Sequence, residues 1–192
     1  MNWQKKPMNN LNSKSVLRRL NFMNNDILFF AKILSCAKIP DKKEEDAGYD
    51  CFPCFNSENM IILPFESKLV PLGIASAFSN DYFISLEERS STGSKNIKRN
   101  CGIIDSSYRG EWFACIYNAN NKPLLITKET NRSTLELLEE EYIIHEYNKA
   151  ICQALLLPVP KVKKCEVTYG DLLGIESKRG LSALGSTDKK VC

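Results

Sequence analysis

From Asn25 onward the apolar positions come in short runs rich in β-branched and aromatic side chains: Ile27-Leu28-Phe29-Phe30, Met60-Ile61-Ile62-Leu63, Lys68-Leu69-Val70, Tyr82-Phe83-Ile84 and Trp112 to Tyr117. Turn chemistry separates them at Ile39-Pro40-Asp41, Ala47-Gly48, Leu63-Pro64, Ser91-Thr92-Gly93 and Asn118 to Pro123. Many short strands punctuated in this way predict a mostly-β sandwich or barrel. Ser133-Thr134-Leu135-Glu136 has capping-box spacing and predicts one short helix over 134–141, although Glu139-Glu140-Glu141 near its end opposes the helix dipole. Tyr142-Ile143-Ile144 and Ile151 to Val159 return to strand character.

At 192 residues and 21.8 kDa the chain has the length of one well-buried domain. Its composition predicts a basic, disordered extension over 1–22, a β domain over 23–176 and a flexible arm over 177–192. The extension carries Lys5, Lys6, Lys14, Arg18 and Arg19 with no acid. A formal charge of only +3 excludes duplex nucleic acid as the default partner. No run approaches the roughly 18 apolar residues of a membrane span. Most of the eight cysteines sit beside apolar neighbours, as in Ala150-Ile151-Cys152, which suits reduced thiols and a cytoplasmic address. Cys51-Phe52-Pro53-Cys54 has no second pair at zinc spacing, and the single histidine, His145, is distant in sequence.

Three polar, glycine-bearing clusters adjoin these strands: Ala47-Gly48-Tyr49-Asp50, Arg89-Ser90-Ser91-Thr92-Gly93, and Gly102-Ile103-Ile104-Asp105-Ser106-Ser107-Tyr108-Arg109-Gly110-Glu111. Each alone reads equally as a hairpin turn. Hydroxyls and backbone N–H groups following an arginine nevertheless offer what phosphate oxygens need. Asp105 is either a turn aspartate or an ionised carboxylate within reach of a water, as a general base requires. Tyr108 is either a half-buried strand aromatic or a flat face for a sugar or base.

In order and wording these clusters, followed by Ala150-Ile151-Cys152-Gln153 and by Arg179-Gly180 with Gly185-Ser186-Thr187, resemble the five motifs of the trimeric dUTPases, deoxyuridine triphosphate nucleotidohydrolases. The resemblance implies an all-β, jelly-roll-like (β-clip) fold and a homotrimer whose active sites are shared between subunits and closed by a swapped C-terminal arm. It implies hydrolysis of dUTP to dUMP and pyrophosphate, with Mg²⁺ held mainly by the substrate phosphates. Asp105 would activate the water that attacks the α-phosphorus. Gly102, Ile103 and Ile104 would read uracil through backbone groups, and Tyr108 would pack on the deoxyribose. Arg89, Ser90, Ser91 and Gln153 would contact phosphates, and Asp50 would orient water around the ion. Arg179, Ser186 and Thr187 would close over the γ-phosphate. Two departures stand out: Leu184 replaces the aromatic that usually stacks on uracil, and Tyr147-Asn148-Lys149 replaces the usual Gly-Asp-Arg ahead of motif four.

Two other functions use some of the same residue types. The related dCTP deaminases share an Arg-Ser-Ser segment but place a catalytic glutamate shortly before a Tyr-Asn pair, whereas here Cys115-Ile116 precedes Tyr117-Asn118. A dUTPase-like nucleotide-binding or regulatory protein is opposed by the presence of both Asp105 and Ser90.

Overall fold

The computed structural model describes residues 27–181. The predicted extension over 1–22, Leu184, Ser186 and Thr187 lie outside the described residues. The chain divides into two units, one ending at Val159 and the other beginning at Pro160.

The first unit is built from β1 (Phe29–Lys32), β2 (Tyr49–Cys51), β3 (Asn59–Ile62), β4 (Ser67–Pro71), β5 (Ile74–Ala77), β6 (Tyr82–Glu87), β7 (Ile97–Cys101), β8 (Ile103–Ile104), β9 (Phe113–Asn118), β10 (Leu124–Thr127), β11 (Ile143–Glu146) and β12 (Cys152–Pro158). Among the described residues two short helices interrupt them, α1 (Ser90–Gly93) and α2 (Arg132–Leu138). The all-β expectation therefore holds. The described strands pair in the orders β1-β5, β11-β10-β3, β2-β12-β6-β8 and β4-β9-β7. In β9 the period of two sends Ala114, Ile116 and Asn118 inward. The buried Asn118 amide is satisfied: it donates to the carbonyls of Ile62 at 3.0 Å and Lys122 at 2.9 Å. β10, central in its sheet, is buried at every position, Leu124 through Thr127.

The core gathers Ile62, Val70, Leu72, Ile84, Leu86, Ile116 and Ile126 around the fully buried Trp112. Trp112 meets Phe30 edge-on at 5.5 Å between ring centres. Between β4 and β5, Gly73 sits at φ +67°, where side chains other than glycine's are strained. A Cβ at that position would also press on Cys54 and Ala37.

The predicted helix over 134–141 exists, but it starts earlier and stops sooner. Its cap is Asn131, whose side chain accepts the Thr134 N–H at 3.2 Å, rather than Ser133. Glu129 in turn accepts the N–H groups of Thr130 and Asn131, both at 2.7 Å, which sets the entry angle. The acidic run Glu139-Glu140-Glu141 begins at the C-cap, at the negative end of the helix dipole, so the conflict the sequence shows is kept. Ser91-Thr92-Gly93, read as a turn, belongs to helix α1. In the second unit, Thr168 and Asp171 cap the short helix α3 (Tyr169–Leu173) reciprocally. Among the described residues no helix is long and apolar enough to cross a membrane.

His145, 7% exposed on β11, is held neutral by burial, its pKa pushed down to about 4, with Lys95, Lys149 and Arg89 adding repulsion. A histidine whose pKa is lower folded than unfolded contributes stability that is full above about 6.5 and is lost as pH falls toward about 4. Urea titrations should therefore show the wild type losing up to about 3 kcal/mol between pH 7 and pH 4 from this group. His145→Gln should flatten that part of the slope; an unchanged slope would assign it to other groups.

Candidate functional site

The β2-β12-β6 ladder places Gln153 opposite Asp50 on one side and opposite Glu87 on the other. Directly paired residues share a sheet face, so these three side chains form a row across it. Gly48, just before β2, is buried, and a Cβ there would lie 2.6 Å from Gln153 Oε1. The absence of that carbon lets the Gln153 amide lie against the strand and donate to the Glu88 carbonyl at 2.8 Å. Glycine and glutamine from motifs one and four are thus shaped to each other.

Beyond β6 the chain turns into α1. Thr92 organises that turn: the Arg89 N–H donates to Thr92 Oγ1 at 3.1 Å, and the Thr92 hydroxyl donates back to the Arg89 carbonyl at 3.0 Å. The Arg89 guanidinium then reaches Asp50 as a two-point pair, Nε to Oδ1 at 2.7 Å and Nη2 to Oδ2 at 3.2 Å. Its Nη1 donates to Ser91 Oγ at 3.2 Å. A cleft of about 370 Å³ opens over this group, lined by Asp46, Ala47, Gly48, Asp50, Arg89, Ser90, Ser91 and Gln153. Such a wall of hydroxyls, a planar guanidinium and an amide suits phosphate oxygens better than an apolar ligand.

At the β6 end of the row, Glu87 accepts from Arg99 Nη2 at 2.7 Å. Its carboxyl is held below the usual range by the Ser85 hydroxyl and by Arg99, with burial opposing. Arg99 also packs where a Cβ on Gly102 would sit, and the Gly102 carbonyl accepts the Leu86 N–H at 2.8 Å.

Motif three occupies the other edge of the same sheet, because Ile103 and Ile104 pair with Ser85 and Ile84 of β6. Ile104 is buried, Ile103 is 60% exposed, and Asp105 is exposed in the turn that follows. The turn holds itself together: the Tyr108 N–H donates to the Asp105 carbonyl at 3.0 Å, and the Tyr108 hydroxyl donates to the Glu111 carbonyl at 3.0 Å. Gly110 leaves room for the Tyr108 ring, which a Cβ would strike. Glu111 accepts the Gly73 N–H at 3.0 Å.

The structure therefore brings together Asp50, Arg89, Ser90, Ser91 and Gln153. Gly102, Ile103, Ile104, Asp105 and Tyr108 do not line that cleft. Arg179 is exposed in the second unit. Asp46 joins the lining unannounced by the sequence; its place four residues before Asp50, across the Ala-Gly turn, was the available signal. Among the described residues no three His, Cys, Asp or Glu side chains gather to hold a metal by themselves.

Comparison with known proteins bears on the family and the fold. A dUTPase family profile matches residues 35–134. The chain is 29% identical over 149 residues to a deoxyuridine 5'-triphosphate nucleotidohydrolase of Nautilia profundicola, covering 76% of this chain and 87% of that one. It is also 30% identical over 101 residues to the Pol polyprotein of caprine arthritis encephalitis virus, 53% of this chain but only 9% of the polyprotein. In fold it resembles a mutant Staphylococcus bacteriophage 80alpha dUTPase with dUpNHpp, at TM-score 0.61 and 23% identity, covering 84% of this chain and 98% of that one. It also resembles a mutant dUTPase from phage phi11 of S. aureus, described with a structural Mg(II) ion, at TM-score 0.55 and 22% identity over 74% of this chain and 98% of that one.

The Gly48–Gln153 fit generates a direct expectation. Gly48→Ala should weaken pyrophosphate binding about tenfold in calorimetric titration, a change of about 1.4 kcal/mol. Unchanged affinity would show that the Gln153 amide does not face the anion.

Proposed function

The chain belongs to the dUTPase family, and from that premise we propose that it hydrolyses dUTP to dUMP and pyrophosphate in the Asp50–Arg89–Gln153 cleft. The observation that carries the proposal is the convergence of motifs one, two and four on a single polar cleft, with the motif-three aspartate on the opposite edge of the same sheet.

In this reading Ser90, Ser91 and Arg89 bind the phosphate chain, with Ser90 at the oxygen bridging the α- and β-phosphates. Gln153 orients the α-phosphate from the strand. Asp105 accepts a proton from water as its oxygen attacks the α-phosphorus; the bond to the bridging oxygen breaks and pyrophosphate leaves. Gly102, Ile103 and Ile104 present backbone groups to uracil, and Tyr108, braced over Gly110, offers its exposed face to the deoxyribose. Arg179, Ser186 and Thr187 are assigned to the closing arm.

The donor set fits Mg²⁺ carried in on the substrate. The cleft offers Asp46 and Asp50 against a single arginine, so a triphosphate entering it needs added positive charge. Mg²⁺ typically keeps several waters and takes one or two carboxylates plus substrate phosphates. It would neutralise phosphate charge, and Asp50 would hold one of its waters while remaining paired with Arg89.

A cleft without its general base calls for a second subunit. A homotrimer in which the Asp105 turn of one subunit faces the cleft of the next would complete the site, in the head-to-tail manner that closes a ring. The proposed compartment is the cytoplasm, on the chain's cysteine usage.

Two measurements test this. Asp105→Asn should retain dUTP binding while kcat falls roughly 10²–10⁴-fold; turnover within a factor of about two of wild type would exclude Asp105 as the base. Co-refolding Asp105→Asn with Arg89→Ala should recover about one working site in four by random mixing in a closed ring, whereas sites contained within one chain would recover none.

A further inference from the structure

We propose that Cys36 and Cys54 form a reversible disulfide under hydrogen peroxide, closing a covalent ring around the chain segment that supplies one wall of the cleft. The two sulfurs lie 3.3 Å apart although they are 18 positions apart in sequence. A bond at about 2.05 Å needs them to approach by only about 1.3 Å.

Both thiols are pinned to one short stretch of backbone. The turn carrying Cys36 is tied down by the Ile33 and Leu34 N–H groups, which donate to the Gly73 carbonyl at 2.8 and 3.3 Å. The Cys54 N–H donates to the Pro71 carbonyl at 2.7 Å. Gly73, without a Cβ, leaves the space in which Cys54 and Ala37 meet. The ring would enclose Asp46, Ala47, Gly48 and Asp50, all of which line the cleft.

Exposure sets the order of events. Cys36 is exposed and Cys54 buried, and burial together with its neighbour Cys36 pushes the Cys54 thiol up to about 11. Cys36 therefore meets the oxidant first. Its thiolate attacks one peroxide oxygen, the O–O bond breaks, hydroxide departs with the electron pair, and Cys36 becomes a sulfenic acid. The Cys54 sulfur then attacks the Cys36 sulfur; the S–O bond breaks, the S–S bond forms, and the leaving hydroxide takes up the thiol proton as water. In sum, two thiols are oxidised and one peroxide is reduced to two waters.

Two other cysteine pairs face each other across strands. Cys101 opposes Cys115 between β7 and β9, and Cys51 opposes Cys152 between β2 and β12. Cys51 and Cys152 are both buried. Cys101, exposed beside the half-buried Cys115, is the real competitor.

The experiment treats the full reduced chain with a few equivalents of hydrogen peroxide, blocks remaining thiols by alkylation, maps crosslinked peptides by mass spectrometry and records melting curves. A Cys36–Cys54 peptide should dominate, the melting temperature should rise by roughly 5–10 °C as expected for a ring of this size, and dithiothreitol should reverse both. Cys36→Ser, at an exposed position, should melt like the reduced wild type and show no rise. A crosslink at Cys101–Cys115 without one at Cys36–Cys54, over-oxidation of Cys36 to sulfinic acid, or a rise that persists in Cys36→Ser would each overturn the proposal. Neither readout uses nucleotide, so the outcome stands apart from that of the dUTP assays.

Discussion

The insertion of β12 between β2 and β6 is the constraint on which the cleft depends. Its antiparallel register fixes which side chains share a face, and a slip of one residue would send Gln153 to the opposite side of the sheet. With the register as it stands, Asp50, Gln153 and Glu87 lie in line, and Arg89, two residues past Glu87, can reach back to Asp50. Hydrophobic patterning enforces the arrangement: Cys152 and Ala154 are buried beside Gln153, so slippage would expose them and bury the amide.

Within that frame, the Arg89–Asp50 pair matters more for position than for stability. The two side chains are 31% and 39% exposed, and ion pairs at that exposure contribute little to folding. What the two-point geometry supplies is a fixed guanidinium plane beside Ser91 and an Asp50 carboxylate whose direction is set before any ligand arrives. The Glu87–Arg99 pair links the same sheet face to the backbone near Gly102 at the start of motif three. The two edges of the sheet, which carry different parts of the proposed chemistry, are therefore braced against each other through β6.

The short stretch from Pro71 to Gly73 is a second point of convergence. It receives the Cys36 turn, Cys54 and the Glu111 carboxylate that ends motif three. A left-handed glycine there leaves room for Cys54 and Ala37, on which a Cβ would press.

Much of this was legible from residue pattern. Short β-branched runs identified most of the strands, since alternation and turn chemistry are local properties. The motif wording pointed to the family, whereas Ala47-Gly48 read only as a turn. The helix boundaries were misplaced because the side chain that caps α2 is Asn131, upstream of the Ser133 box, and one capping pattern does not exclude another nearby. The partner across β12, the collision Gly48 avoids, the contact between Cys36 and Cys54, and the location of Asp105 outside the cleft were decided by tertiary structure alone. Each depends on strands far apart in sequence being brought into one register, and strand register is set by which faces must be buried together rather than by any residue's immediate neighbours.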